Sequence, residues 1–125
     1  MNIEIGTDEN TSIAQIIKII RDFRQDRGWL ESDNVKHLAM AMTKEAAELQ
    51  EIFTWCDSRE AFEHGRNNLE HLGEEIADVL VYLLSIADIY DFDISYILAD
   101  KLTKNALRYP ALPNTTVNHS SEPDQ

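Results

Sequence analysis

Two short stretches carry carboxylates at a spacing suited to metal chemistry: Lys44-Glu45-Ala46-Ala47-Glu48-Leu49 and Glu74-Glu75-Ile76-Ala77-Asp78-Val79. In each, two acidic side chains three residues apart sit inside an apolar helical pattern, so each pair projects from one helix face. Two such pairs on facing helices make a nest of four carboxylates, Glu45, Glu48, Glu75 and Asp78. Like charges crowded into a poorly hydrated site oppose one another's ionisation, and a cation relieves them. An all-oxygen, hard ligand set points to Mg²⁺, with Mn²⁺ as the alternative. A single E-x-x-E in an acidic protein is most often a solvated helix face. Two pairs, each beside core-like residues such as Leu49, Ile52, Phe53, Ile76, Val79 and Leu80, favour the nest.

The elements that must position these groups are all helical. Residues 1–10 read as a flexible N-terminus, residues 11–110 as one helical domain and residues 111–125 as a flexible tail rich in Pro, Asn, Thr and Ser. Ser12 and Gln15 offer a capping box, and Ile13, Ile16, Ile17, Ile20 and Phe23 repeat at helical spacing to about Arg27. Gly28 stops this first helix. The stretch from Gly28 to Asn34 is expected to be a loop, with Asp33 or Asn34 capping the next helix. The second helix runs from Val35 to about Trp55, with Leu38, Met42, Leu49, Ile52 and Phe53 as its stripe and Glu45 and Glu48 along the edge. From Cys56 to Asn68 the chain turns polar. Asp57 and Ser58 are expected to cap a short helix through Phe62, and Gly65-Arg66-Asn67-Asn68 to be a break or a weak continuation.

A third helix, from Leu69 to about Tyr90, is so apolar that it must be buried in a bundle or an oligomer. Asp93 caps the fourth, Ile94 to about Tyr109, which carries Lys101, Lys104, Asn105 and Arg108 and ends at Pro110. With no strand pattern, the fold class is all-α, a four-helix bundle that forms oligomers.

Bulk properties narrow the function. A chain of 125 residues suits one domain with a real core. Eleven basic against 23 acidic residues give a net charge of −12, which argues against nucleic acid or an anionic membrane as a partner. The single cysteine, Cys56, suits a reducing compartment and reads as a packed apolar residue beside Trp55. The N-terminus lacks a basic start and an apolar run, and no stretch is long enough to span a membrane, so a cytoplasmic location is expected.

If the second and third helices pack together, the four carboxylates converge, and the fourth helix can bring Lys101 and Arg108 to the same rim. Such a site suits a phosphate ester or anhydride, with Trp29, Trp55 and Tyr82 available as flat surfaces for a base. No G-x-x-x-x-G-K-[ST] loop is present, which excludes a P-loop mechanism. No Glu is followed three residues later by His, which argues against a di-iron bundle. His37, His64, His71 and His119 read as surface or loop histidines.

Three blocks, His37 to Trp55, Glu74 to Leu83 and Lys101 to Pro110, together resemble the MazG-like all-α nucleotide pyrophosphohydrolases, and among them the short single-domain branch that includes the dCTP pyrophosphatases. The resemblance spans about Ile13 to Pro110. It implies that Glu45, Glu48, Glu75 and Asp78 ligate Mg²⁺ and carry catalysis, one of the glutamates activating water. It implies further that Lys101, Asn105, Arg108 and Tyr109 hold phosphates or sugar, that Trp29 and Trp55 flank the base, and that Tyr82 lies near the sugar. The implied reaction cleaves a nucleoside triphosphate between the α and β phosphates, in a homodimer or homotetramer. His37 stands where relatives often carry Asn, and Ile20 replaces a histidine that lines the base pocket in some members preferring dCTP. The choice of base is therefore open. The alternative to an enzyme is a catalytically silent helical module that binds nucleotide or a partner protein, against which stands the retention of all four carboxylates.

Overall fold

The computed structural model describes residues 3–32 and 34–113. Six helices succeed one another among the described residues: α1 (Ile13–Asp26), α2 (Trp29–Ser32), α3 (Val35–Thr54), α4 (Ala61–Arg66), α5 (Leu69–Ile89) and α6 (Ile94–Arg108). No strand occurs among the described residues, so the fold is all-α. Two compact units divide the chain, Met1–Phe92 and Asp93–Gln125. The expected C-terminal tail falls outside the described residues from position 114 onward, as does the capping alternative Asp33.

In the first unit the local chemistry sets each helix end. Ser12 Oγ accepts from the Gln15 N–H at 3.1 Å while Gln15 Oε1 accepts from the Ser12 N–H at 2.7 Å, so the capping box at α1 is complete. Gly28, at φ +69°, takes the left-handed position that ends α1. Immediately beyond Gly28 the chain makes one helical turn, α2, where the sequence pattern predicts a loop. Trp29 opens that turn and packs edge-on against Phe23 of α1 at 5.8 Å between ring centres. Asn34 caps α3, its Oδ1 accepting from the His37 N–H at 2.9 Å.

The segment after α3 differs from expectation. Asp57 folds into a turn, accepting from the Arg59 N–H at 2.8 Å, and the short helix begins only at Ala61. Gly65 lies inside that helix, which runs on to Arg66, so of the two expectations for this stretch the continuation holds. A Cβ at Gly65 would stand 3.1 Å from Phe53 Cε1, so a glycine lets α4 lie directly on α3. Cys56 is half-buried, its thiol 3.2 Å from the Phe53 carbonyl that accepts from it.

α3 and α5 form the main contact of the bundle; α1 and α4 also pack on α5, and α4 packs on α3. Leu38 of α3 and Leu84 and Ala87 of α5 are buried. Arg21 of α1 clasps Asp88 of α5 through two hydrogen bonds, one of 2.9 Å from Nε, and ties the two helices together. Asp91, at φ +53°, closes α5: its N–H reaches the Asp88 carbonyl at 3.1 Å, and the Phe92 N–H reaches Ala87 at 3.0 Å, a Schellman end with Asp in place of Gly. Burial of α5 is incomplete in the single chain, because Ile76, Leu80 and Leu83 are each 45% exposed.

The second unit is α6 with its flanks. Asp93 caps it, Oδ1 accepting from the Tyr96 N–H at 2.8 Å, and Lys104 pairs with Asp100 one turn earlier.

Candidate metal centre

Packing of α3 on α5 sets the register that brings the acidic groups together. Glu45 and Glu48 lie one turn apart on α3, Glu75 faces them from α5, and one oxygen from each lies within 4.8 Å of the others. Glu75 is buried, and Glu45 and Glu48 are half-buried. Glu45 Oε2 and Glu75 Oε2 are enclosed and have no hydrogen-bond partner. An enclosed carboxylate oxygen without a donor is costly, and a cation is the species that satisfies several such oxygens at once. Burial, above all, and then the carboxyl of Glu48 and the charges of Asp78 and Glu75 push the Glu45 carboxyl above the ordinary carboxylate range. Lys44 offers Glu48 only a weak counter-charge, with Nζ at 4.0 Å and largely solvated. Three hard oxygen donors that resist sharing a site can hold a divalent cation.

Asp78 is one turn beyond Glu75 on α5, exposed, and outside the group of three, although its charge reaches Glu45. A cavity of about 380 Å³ opens beside the group, lined by Glu48, Glu51, Ile52, His64, Asn68, His71 and Glu75. Trp29, Trp55 and Tyr82 are not among its lining residues. Trp55 caps the end of α3 and is 91% exposed, and Tyr82 is half-buried on α5. Lys101, Asn105 and Arg108 belong to α6 and Tyr109 ends it, all in the second unit, where the Arg108 guanidinium lies 5.3 Å from the Tyr109 ring centre.

Among the histidines His64 departs from the sequence reading, while His37 and His71 are exposed as expected. His64 is half-buried in α4, edge-on to Phe53 at 6.3 Å between ring centres. His71 Nε2 stands 3.2 Å from Glu75 Oε1, one turn earlier on α5. The Glu-x-x-His pattern, with His three residues after Glu, does not cover a His four residues before it, yet that spacing places the pair on one face equally well. His37 meets the side chain of its cap, Asn34, at 3.1 Å, and His119 lies outside the described residues.

The sequence over residues 40–122 matches the MazG-like family. The chain belongs to that family. Its helical architecture matches a solved pyrophosphatase from Archaeoglobus fulgidus with a TM-score of 0.75 and 36% identity, over 88% of this chain and all of the other. It is also 30% identical over 102 residues to dCTP pyrophosphatase 1 of Homo sapiens and 29% identical over 101 residues to the same protein of Rattus norvegicus. These alignments take in 80% and 79% of this MazG-like chain and 60% and 59% of the relatives, so it spans about three fifths of their length. No helix among its described residues is long and apolar enough to cross a membrane.

Proposed function

We propose that this MazG-like chain is a Mg²⁺-dependent pyrophosphohydrolase of nucleoside triphosphates, acting on dCTP-like, modified or surplus deoxynucleotides and releasing monophosphate and pyrophosphate. The observation that carries the reading is the convergence of Glu45, Glu48 and Glu75 with two enclosed, unpartnered oxygens among them. The relatives named pyrophosphatase support the reaction class.

Glu45, Glu48 and Glu75 would hold the cation, and Asp78, one turn along α5, would complete the set. When bound, Mg²⁺ neutralises phosphate oxygens and acidifies water. A glutamate of the group accepts the proton of the attacking water, whose oxygen bonds to the α phosphorus as the bond from that phosphorus to the bridging oxygen breaks and pyrophosphate leaves. In this reading Lys101, Asn105, Arg108 and Tyr109 bind phosphates or sugar, Trp29 and Trp55 flank the base, and Tyr82 sits by the sugar. The chain works in the cytoplasm as a homodimer or homotetramer, which the half-exposed Ile76, Leu80 and Leu83 of α5 support.

The test is pyrophosphate release from a panel of ribo- and deoxynucleoside triphosphates, with Mg²⁺ and with chelator. Mg²⁺-dependent formation of monophosphate and pyrophosphate is expected, and Glu48→Gln should abolish it while circular dichroism stays unchanged. Full turnover by Glu48→Gln would remove Glu48 from the site. Silence of the folded wild-type protein across the panel would refute the activity.

A further inference from the structure

Glu75 is the most enclosed carboxylate of the group, and its two oxygens have different surroundings. Oε1 lies 3.2 Å from His71 Nε2, while Oε2 is sealed from solvent with no partner. The Glu75 side chain is 10% exposed and that of His71 is 59% exposed, so the imidazole sits on the cavity lip and the carboxylate below it. The glutamates of α3 have only each other and a distant lysine: the carboxyl of Glu48 lies beside that of Glu45, and Lys44 reaches Glu48 only at 4.0 Å. A polar side chain held against one carboxylate oxygen limits rotation about the last torsion of the glutamate and favours one direction for the other oxygen. That is the service outer-shell partners give to metal ligands.

We propose that His71 is a positioning residue, which holds Glu75 Oε1 so that Oε2 is presented to the cation shared with Glu45 and Glu48. The inference rests on the metal-site reading and adds to it a residue outside the acidic pattern. His71 and Glu75 share a helix face four residues apart, so the support is built into α5 and needs no loop to order.

The test is titration of the full chain with Mn²⁺ alone, following the free-ion electron paramagnetic resonance signal, on the wild type, His71→Leu and His71→Gln. His71→Leu removes the polar partner of Oε1 and should weaken Mn²⁺ binding by about 10-fold to 100-fold, the span seen when outer-shell partners are removed. His71→Gln retains an amide donor and should recover most of that loss. In chelator all three should melt alike, since an imidazole this exposed has little packing to lose. Equal Mn²⁺ affinity in His71→Leu and wild type would overturn the inference. So would a loss in His71→Gln as large as in His71→Leu, or a variant destabilised in chelator, which would mark a structural role. A wild-type protein that binds no Mn²⁺ would instead overturn the metal site itself and the inference with it.

Discussion

Replacing Glu45 by Gln should make the metal-free protein more stable and the Mg²⁺-treated protein less so, a crossing that few surface substitutions produce. The ligand oxygens of Glu45, Glu48 and Glu75 lie within 4.8 Å of one another. Two unit charges at that separation repel by about 1 kcal/mol when screened as in water and by about 3.5 kcal/mol at an effective dielectric of 20. Glu45 is half-buried, with only Oε2 enclosed, so the lower figure applies. Neutralising it removes two such repulsions, about 2 kcal/mol at most, and Lys44 beside Glu48 reduces this further.

At roughly 3–5 °C per kcal/mol for a chain of this size, the melting temperature in chelator should rise by about 3–8 °C. The wild type, at Mg²⁺ one hundred times its Kd, gains about 2.7 kcal/mol, a shift the variant should lose in large part. The same pair separates by pH. The Glu45 carboxyl is raised in the folded state, first by burial, so the folded chain binds the extra proton. Its contribution to stability is present at low pH and is lost as pH rises through that raised value. Differential scanning fluorimetry in chelator across the mildly acidic range should show this decline in the wild type and a flatter line in Glu45→Gln. A variant that melts lower than wild type in chelator, or that keeps the full Mg²⁺ response, would refute the nest.

Two further outcomes test the scaffold. Gly65→Ala places a methyl 3.1 Å and 3.2 Å from two atoms of the Phe53 ring, and overpacking of this kind costs about 1–3 kcal/mol, so chemical denaturation should show a lower midpoint. A gain in stability would mean that the ring yields freely. Arg21 holds the Asp88 carboxyl below its ordinary range by hydrogen bonding, so Asp88 contributes stability above the unfolded carboxylate value and loses it as pH falls through the lower folded value. The melting-temperature gap between wild type and Asp88→Asn should therefore narrow on acidification from about pH 6 to about pH 3. A constant gap would contradict the assignment.

The long helices and the acidic pairs are legible in the sequence because both depend on short-range periodicity. Ile13 to Phe23, Val35 to Phe53 and Leu69 to Ile89 each repeat at helical spacing, and Ser12, Asn34 and Asp93, which cap α1, α3 and α6, are residues whose side-chain oxygens satisfy free amide groups. The segment from Asp57 to Arg66 misleads because its local chemistry carries two competing signals. Asp57 serves a turn although its type equally suits a helix cap, and Gly65 has the signature of a breaker although its value lies in the contact with Phe53, which only the packed structure reveals. α2 escapes sequence reasoning since one helical turn has no period to detect. Glu45, Glu48 and Glu75 meet as expected, whereas Asp78 stands apart and His71 joins, because the phase of α5 against α3 is a property of the interface.

That phase makes the site sensitive to chain length more than to side-chain identity. Leu38 anchors α3 seven residues before Glu45, and Leu84 anchors α5 nine residues after Glu75. One residue inserted between anchor and carboxylate would turn the acidic group by about 100° and displace it by about 1.5 Å along the axis, carrying it off the shared face. The same insertion among residues 56–60 would leave both registers untouched. A change in length is thus harmless to the site at the joints and disruptive within the two long helices, which act as a fixed ruler for the three carboxylates.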